Sequence, residues 1–370
     1  MAPAKFVMKK QKVAIVHDWL IGGGAERVVE ALHGIYPEAP IYTSYATDEW
    51  RRKLDGKVVT GWLQHFGRIR KYVPFLRGLW FSHLDLSEYD LVISSSGAEA
   101  KYARASVDTP HIAYIHAPTH YYWDRYEDYL KHPGFPAGFN WLARLGLRLL
   151  VGSLRKWDYK AAQRPDILIA NSSFTQSKIK QYYGRDSTVI HPPVDIERFT
   201  SLPATQRKGF VIAGRQTPYK RIDLAVAACT QLGLPLTVVG AGPEHDKLVR
   251  MAGSTISFVT EASDQDVANY LASAEAFLFP GVDDFGIAAV EAMAAGTPVI
   301  AYKAGGALDY LIKHKTGLFF SEQKIDNLAA ILSKFKLESF DSGIIKQHAE
   351  KFSTVEFQKN IKAIIGKEQL

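Results

Sequence analysis

The chain has 370 residues, 47% hydrophobic and 22% charged, a length and composition that suit two globular domains and exclude disordered or collagen-like classes. A single cysteine, Cys229, excludes an internal disulfide. The net charge is +7, and the first 200 residues hold 27 Lys+Arg against 20 Asp+Glu while the remainder balances 18 against 18, so an anionic partner is expected at the first half.

In chain order, Lys12–His17 (KVAIVH) reads as a strand, and GGGAERVVEALHGIY as a loop entering a helix. Asp90–Ser94 (DLVIS), Pro110–His116 (PHIAYIH) and Asp166–Asn171 (DILIAN) are short apolar runs of buried-strand type, and Val189–His191 precedes a Pro-Pro stop. VDIERFTSLPATQRK, polar and turn-rich, reads as a linker. The alternation restarts with Gly209–Ala213, Pro235–Gly240, Ser257–Val259, Ala276–Pro280 and Pro298–Tyr302. Strands alternating with helices predict parallel sheets, so the fold class is α/β with two doubly wound domains facing a cleft. Ser353 and Glu356 have capping-box spacing before an amphipathic closing helix. The opening residues lack the apolar run of a leader, and no run of about 18 uncharged apolar residues occurs, so a cytoplasmic location is expected.

Phe279–Ala301, FPGVDDFGIAAVEAMAAGTPVIA, carries the most chemistry. A strand ends at Pro280, two acids and a glycine follow, and a helix starts near Gly286 with Glu291 on it. A helix N-terminus after a glycine offers unpaired N–H groups to phosphate. Asp283 and Glu291, one on the loop and one on the helix, suit two hydroxyl-bearing parts of one ligand. The alternative is an ordinary helix cap with solvated acids. GRQTPYKR, Gly214–Arg221, sets Arg215 and Lys220 directly after a strand, where cations stabilise charge on a departing diphosphate. The alternative there is a solvated basic loop. IGGGAE after the first strand is a tight glycine turn, and His116 ends a buried strand inside YIHAPTHYYWD.

Taken together, these segments resemble glycosyltransferase family 4, of GT-B architecture with two Rossmann-like domains. The second half matches its E-x7-E motif with Asp283 and Glu291, its diphosphate cations with Arg215 and Lys220, and its VGxGPE turn at residues 239–244. YIHAPTHYYWD is similar to the YxHTPxRYxWD signature of mannosyltransferase-like members. The resemblance implies residues 1–198 as an acceptor- and membrane-facing domain, 199–350 as the donor-binding domain and 351–370 as a helix packing back toward the first. It implies donor contacts from Gly23, Gly24, Arg215, Lys220, Asp283, the Phe285–Gly286–Ile287 backbone and Glu291, the last on the ribose. The catalytic group would be His116, Arg215, Lys220 and Asp283, and Glu26 and His120 would face the acceptor. Two departures stand out: Asp283 replaces the usual Glu, one methylene shorter, and His120 replaces the usual Arg.

The activity so implied is a retaining hexosyl transfer, with mannose from GDP-mannose going to a lipid-linked glycan or glycolipid. Alternatives are a UDP-sugar donor, a nucleotide-sugar epimerase or hydrolase, and a non-catalytic basic binding protein. No cofactor is expected, and no metal: no His/Asp/Glu cluster has ligand spacing, and Arg215 with Lys220 can do the work of a divalent ion. Two acid-free, aromatic-rich windows, residues 56–84 and 129–157, read as membrane-contacting, with Arg68, Arg70, Lys71, Trp141, Arg144, Arg148 and Arg155 as the contacts. The alternative is a basic helix packed on its own domain. The expectation is a peripheral protein on the cytosolic face of the plasma membrane, bound to anionic lipid, with no nucleic-acid partner.

Overall fold

The structure, a computed structural model, describes residues 11–66, 74–131, 133, 138–200, 202 and 206–367. The chain forms two compact units: residues 1–171, 175–190 and 362–370 in the first, and residues 172–174 and 191–361 in the second.

The first unit holds a parallel seven-stranded sheet built from β1 (Val13–His17), β2 (Ile41–Thr43), β3 (Val58–Thr60), β4 (Leu91–Ser96), β5 (His111–Ile115), β6 (Ile167–Ala170) and β7 (Thr188–Val189). Their order across the sheet is β3-β2-β1-β4-β5-β6-β7. β1, β4 and β5 are buried along their whole length. Helices cover both faces of such a sheet, so its central strands read as continuous apolar runs. In register, Ile15 lies beside Ile41 on one side and Ile93 on the other, and Ile93 beside Ile112.

The second unit holds a parallel six-stranded sheet of β8 (Phe210–Ala213), β9 (Leu236–Val239), β10 (Ile256–Val259), β11 (Ala276–Phe279), β12 (Val299–Tyr302) and β13 (Gly317–Phe320). The order is β10-β9-β8-β11-β12-β13. Its core packs Phe277, Phe279, Val290, Met293 and Tyr310 on one face and Phe210, Leu236, Leu278 and Ile300 on the other. Cys229 is buried in the helix Ile222–Leu232, and burial pushes its thiol up to about 12.

Each sheet reverses its strand order once, between β1 and β4 in the first unit and between β8 and β11 in the second. The loops leaving the carboxyl ends of those strand pairs are the ligand-binding positions of such folds. The segment read as a linker folds in part. Val194 and Phe199 are buried in the second unit's core, and Glu197–Thr200 is a short helix. The closing helix runs Thr354–Lys367, and the Ser353 hydroxyl accepts the Glu356 N–H at 3.3 Å.

Candidate active site

In the second unit, β8 and β11 are hydrogen-bonded neighbours, so the loops that follow them emerge side by side. The first carries Arg215 and Lys220, the second Asp283. Lys220 Nζ donates to the Asp283 carboxylate, which joins two of the expected site residues directly. Arg215 is exposed, and no hydrogen bond or ion pair to its side chain is present among the described residues. The two loops fit because Gly281 has no side chain: a Cβ there would lie 2.6 Å from the Tyr219 carbonyl oxygen and 2.7 Å from Lys220 Cα.

The helix Ile287–Ala294 begins after Gly286, whose φ of 97° belongs to glycine. A Cβ at Gly286 would also come 2.7 Å from the Phe279 ring. The Phe285 side chain is buried against His191, Tyr310 and Phe352, so the chain from Phe285 to Ile287 presents backbone. Glu291 is on that helix. Its Oε1 accepts from Arg198 at 2.8 Å.

Behind the cationic loop stands the turn Gly240–Glu244. Gly214 N–H donates to Val239 O and Gln216 N–H to Ala241 O, each at 2.9 Å, and Glu244 N–H returns a bond to Gln216 O at 3.0 Å. The Gln216 side chain, fully buried, donates to Gly240 O at 2.6 Å and meets His245 Nδ1 at 2.9 Å. The VGxGPE-like turn is therefore the mount of the loop that bears Arg215.

In the first unit the reversal point is filled by its own polar groups. His17 Nδ1 lies 2.9 Å from Ser95 O and 3.1 Å from Ser95 Oγ, and Ser95 Oγ lies 2.8 Å from His116 Nε2. A carbonyl only accepts, so His17 Nδ1 carries a proton. The Asp18 carboxylate accepts the N–H groups of Gly97, Ala98 and Ala100 at 2.7, 2.9 and 2.7 Å. Glu26 is buried, and its carboxylate accepts the Gly22 N–H at 3.0 Å and the Ile21 N–H at 3.3 Å, so it holds the glycine loop. Gly23 caps the helix Gly24–Ile35, and Gly24 is its first residue.

Most of YIHAPTHYYWD is spent on packing. Asp158, fully buried, accepts from Lys101 Nζ (2.8 Å), Tyr102 Oη (2.9 Å), Thr119 Oγ1 (2.9 Å), Trp123 Nε1 (2.7 Å) and Tyr183 Oη (2.8 Å). Five donors around one carboxylate are what makes a buried charge tolerable. Tyr121 donates to Glu99, which also pairs with the buried Arg77 at 2.9 Å. His120 meets Asp124 at 2.9 Å, and Lys178 pairs with the same carboxylate. Burial alone would raise the Asp124 carboxyl; the hydrogen bonds and charges of His120 and Lys178 outweigh it and hold it below its ordinary value. The structure thus leaves His116 at the carboxyl end of the central strand β5 and ties His120 to its own unit.

The residues read as a cationic membrane face divide. Arg68, Arg70 and Lys71 lie outside the described residues. On the helix Asn140–Ala162, Arg144 donates to the carbonyls of Leu130 (2.8 Å) and Lys131 (3.1 Å). Arg155 donates to Tyr122 O and lies over the rings of Trp123 and Tyr126. Arg148 remains exposed. The face left to solvent is mainly apolar: Trp141 is 60% exposed and Leu149 72%, with Leu142 and Leu145 on the same side of the helix. Among the described residues no helix is long and apolar enough to cross a membrane.

Two family models match the chain, glycosyltransferase family 4 over residues 22–198 and glycosyl transferases group 1 over residues 193–352. The chain belongs to glycosyltransferase family 4. A GDP-mannose-dependent monoacylated alpha-(1-6)-phosphatidylinositol monomannoside mannosyltransferase of Corynebacterium glutamicum is 32% identical over 219 residues, 51% of this chain and 57% of that protein. A GDP-mannose-dependent alpha-(1-6)-phosphatidylinositol monomannoside mannosyltransferase of Mycobacterium tuberculosis is 27% identical over 204 residues, 47% of this chain and 53% of that one. The chain spans about half the length of the curated relatives it matches. Anabaena HepE, solved with UDP-glucose, superposes with a TM-score of 0.71 at 18% identity, over 96% of this chain and 100% of that one. That likeness shows the fold, GT-B.

The motifs of this family 4 chain did not point to Arg198, Gln216, Gly281 or Gly306. Gly306 admits no side chain, since a Cβ would lie 2.3 Å from Phe285 Cα, and its N–H donates to Asp283 O at 3.0 Å. The glycine pair after β12 was the available signal. Arg198 offered none, being 93 positions from Glu291.

Proposed function

We propose that the chain is a retaining glycosyltransferase that takes mannose from GDP-mannose and passes it to a hydroxyl of a lipid-linked glycan or glycolipid. The observation that carries the reading is the Lys220–Asp283 contact beside an exposed Arg215, at the strand-order reversal of the second sheet. Arg215 and Lys220 suit the diphosphate, Asp283 and the Phe285–Ile287 backbone the sugar, and Glu291 the ribose. The bond between the anomeric carbon and the β-phosphate oxygen breaks, and its electron pair stays on that oxygen. The acceptor hydroxyl oxygen bonds the same face of the carbon, and its proton goes to the departing phosphate. In this scheme the cations act on charge that develops during bond breaking, with no divalent ion needed. The printed names of the two mannosyltransferases support GDP-mannose and a glycolipid acceptor.

The acceptor's lipid would meet the chain where Trp141, Leu142, Leu145 and Leu149 face solvent beside Arg148. Burying one such leucine contributes about 1.5–3 kcal/mol, and a cation near an anionic leaflet about 1 kcal/mol. In this reading the protein sits peripherally on the cytosolic face of the plasma membrane.

A thermal-shift panel of GDP-, UDP- and ADP-sugars tests the donor. A ligand at 100 times its Kd adds about 2.7 kcal/mol, and GDP-mannose is expected to give the largest shift. No shift with any of them sinks the donor reading, and an inverted anomeric product sinks retention. Activity that survives a chelator is expected. Flotation with anionic liposomes at low salt is expected to carry the protein up, and Leu149→Glu to weaken it; absence of binding by the unaltered chain ends the membrane reading.

A further inference from the structure

We infer that Arg198 is the positioning residue for nucleotide recognition, holding Glu291 in the posture that meets the ribose. This rests on the donor reading above. Glu291 projects from a helix whose neighbouring residues Ala289, Val290, Ala292 and Met293 are buried, so its carboxylate emerges at the edge of an apolar core. A carboxylate there needs a fixed counter-charge and a fixed rotamer. Arg198 supplies both. One guanidinium nitrogen lies 2.8 Å from Glu291 Oε1 and another 3.2 Å from Asp264 Oδ2. The guanidinium also lies 4.7 Å from the ring centre of Phe199, which is itself fully buried.

The pair is largely shielded, with 12% of the Arg198 side chain and 14% of the Glu291 side chain exposed, whereas Asp264 is 75% exposed. Asp264 is therefore the outer anchor and Glu291 the inner one. Asp264 opens the helix Asp264–Ser273, whose start is fixed by the reciprocal Ser263–Asp266 cap. Arg198 thus clamps the first turn of one helix to the middle of the next. A planar fork with several fixed donors can span two carboxylates in this way, and an ammonium cannot do so with the same geometry. Glutamate has freely rotating side-chain bonds, and holding it before ligand arrives removes that ordering cost from binding. The Arg198 Nε is buried with no hydrogen-bond partner, so the guanidinium is placed by its two carboxylates and by Phe199.

The test is a ratio. Calorimetric titrations of GDP and UDP, each against its 2′,3′-dideoxy analogue, are run on the full chain and on Glu291→Gln, Arg198→Gln and Arg198→Lys. The unaltered chain is expected to prefer the ribose form of its nucleotide about tenfold. Glu291→Gln and Arg198→Gln should both bring that preference to within about threefold, with affinity for the dideoxy form little changed. Arg198→Lys should restore part of it. A merely structural role would weaken both forms equally and leave the ratio intact. Retention of the full preference in Arg198→Gln, alongside its loss in Glu291→Gln, overturns the inference alone. Failure of the unaltered chain to bind either nucleotide overturns the inference together with the donor reading.

Discussion

At the reversal point of the first sheet, between β1 and β4, Asp18 accepts three backbone N–H groups, Glu26 two more, and His17, Ser95 and His116 bond in series. At the matching point of the second sheet, between β8 and β11, Lys220 meets Asp283 and Arg215 projects outward. Both ends are rich in polar residues. In the first most of them satisfy the fold; in the second Arg215 is exposed, and Lys220, its side chain 21% exposed, is held by Asp283. A polar motif at a sheet end is therefore weak evidence of ligand binding until its hydrogen bonds have been traced.

Three experiments can break that contrast. The largest effect belongs to Lys101→Ala, which leaves Asp158 charged and buried in the first unit. Breaking a buried pair costs about 3–5 kcal/mol, a fall of roughly 10 °C in Tm for a unit of this size. A loss under about 1 kcal/mol in a denaturation experiment would mean the buried network does not carry the fold.

Next comes pH. Burial depresses His111 to about 4 from 6.5, aided by Arg164 and Arg185 and opposed by Asp166, while Ser94 Oγ lies 2.8 Å from its Nε2. The folded pKa is below the unfolded one, so the stability is fully present above pH 6.5 and is lost as pH falls toward about 4. The loss should be about 3 kcal/mol across that window. His111→Gln should flatten the curve there, and a difference between the two proteins that does not vary with pH would refute the assignment.

The smallest effect on free energy falls on the second unit. Lys220→Ala should slow sugar transfer by about 10- to 100-fold, the value of one charge-assisted contact, while Tm moves by only a degree or two. A loss of stability comparable to that of Lys101→Ala would make Lys220 structural and erase the contrast.

The sequence reading succeeded where local pattern carries the information. β4, β5 and β11 each carry a short apolar run between turn signals, and their strands sit within a residue or two of the expected bounds. β2 and β3 went unread because each has three residues, too few to show a period. β13 was missed because GLFF is only four residues long, too short to show a period, although polar residues flank it on both sides. In the second unit, the motif reading grouped Arg215, Lys220 and Asp283, and the structure sets them on the loops after β8 and β11, with Lys220 bonded to Asp283. Arg198 was not, since a polar turn-rich segment hides a residue whose partner is set by tertiary packing. The cationic helix was half legible: the arginines are on the helix, but Arg144, though exposed, is bound to two backbone carbonyls, and Arg155 packs half-buried against two rings, which periodicity cannot reveal.

Gln216 carries no charge, yet its buried amide bonds Gly240 O and His245 and so ties the loop after β8 to the turn at Gly240. A Cβ at Gly242 would press within 2.4 Å of its carbonyl oxygen. Any redesign of donor preference that varies only ligand-facing positions therefore works on an inherited scaffold. Changes at residues 240–245 would register as altered catalysis in a screen while leaving every contacting side chain untouched.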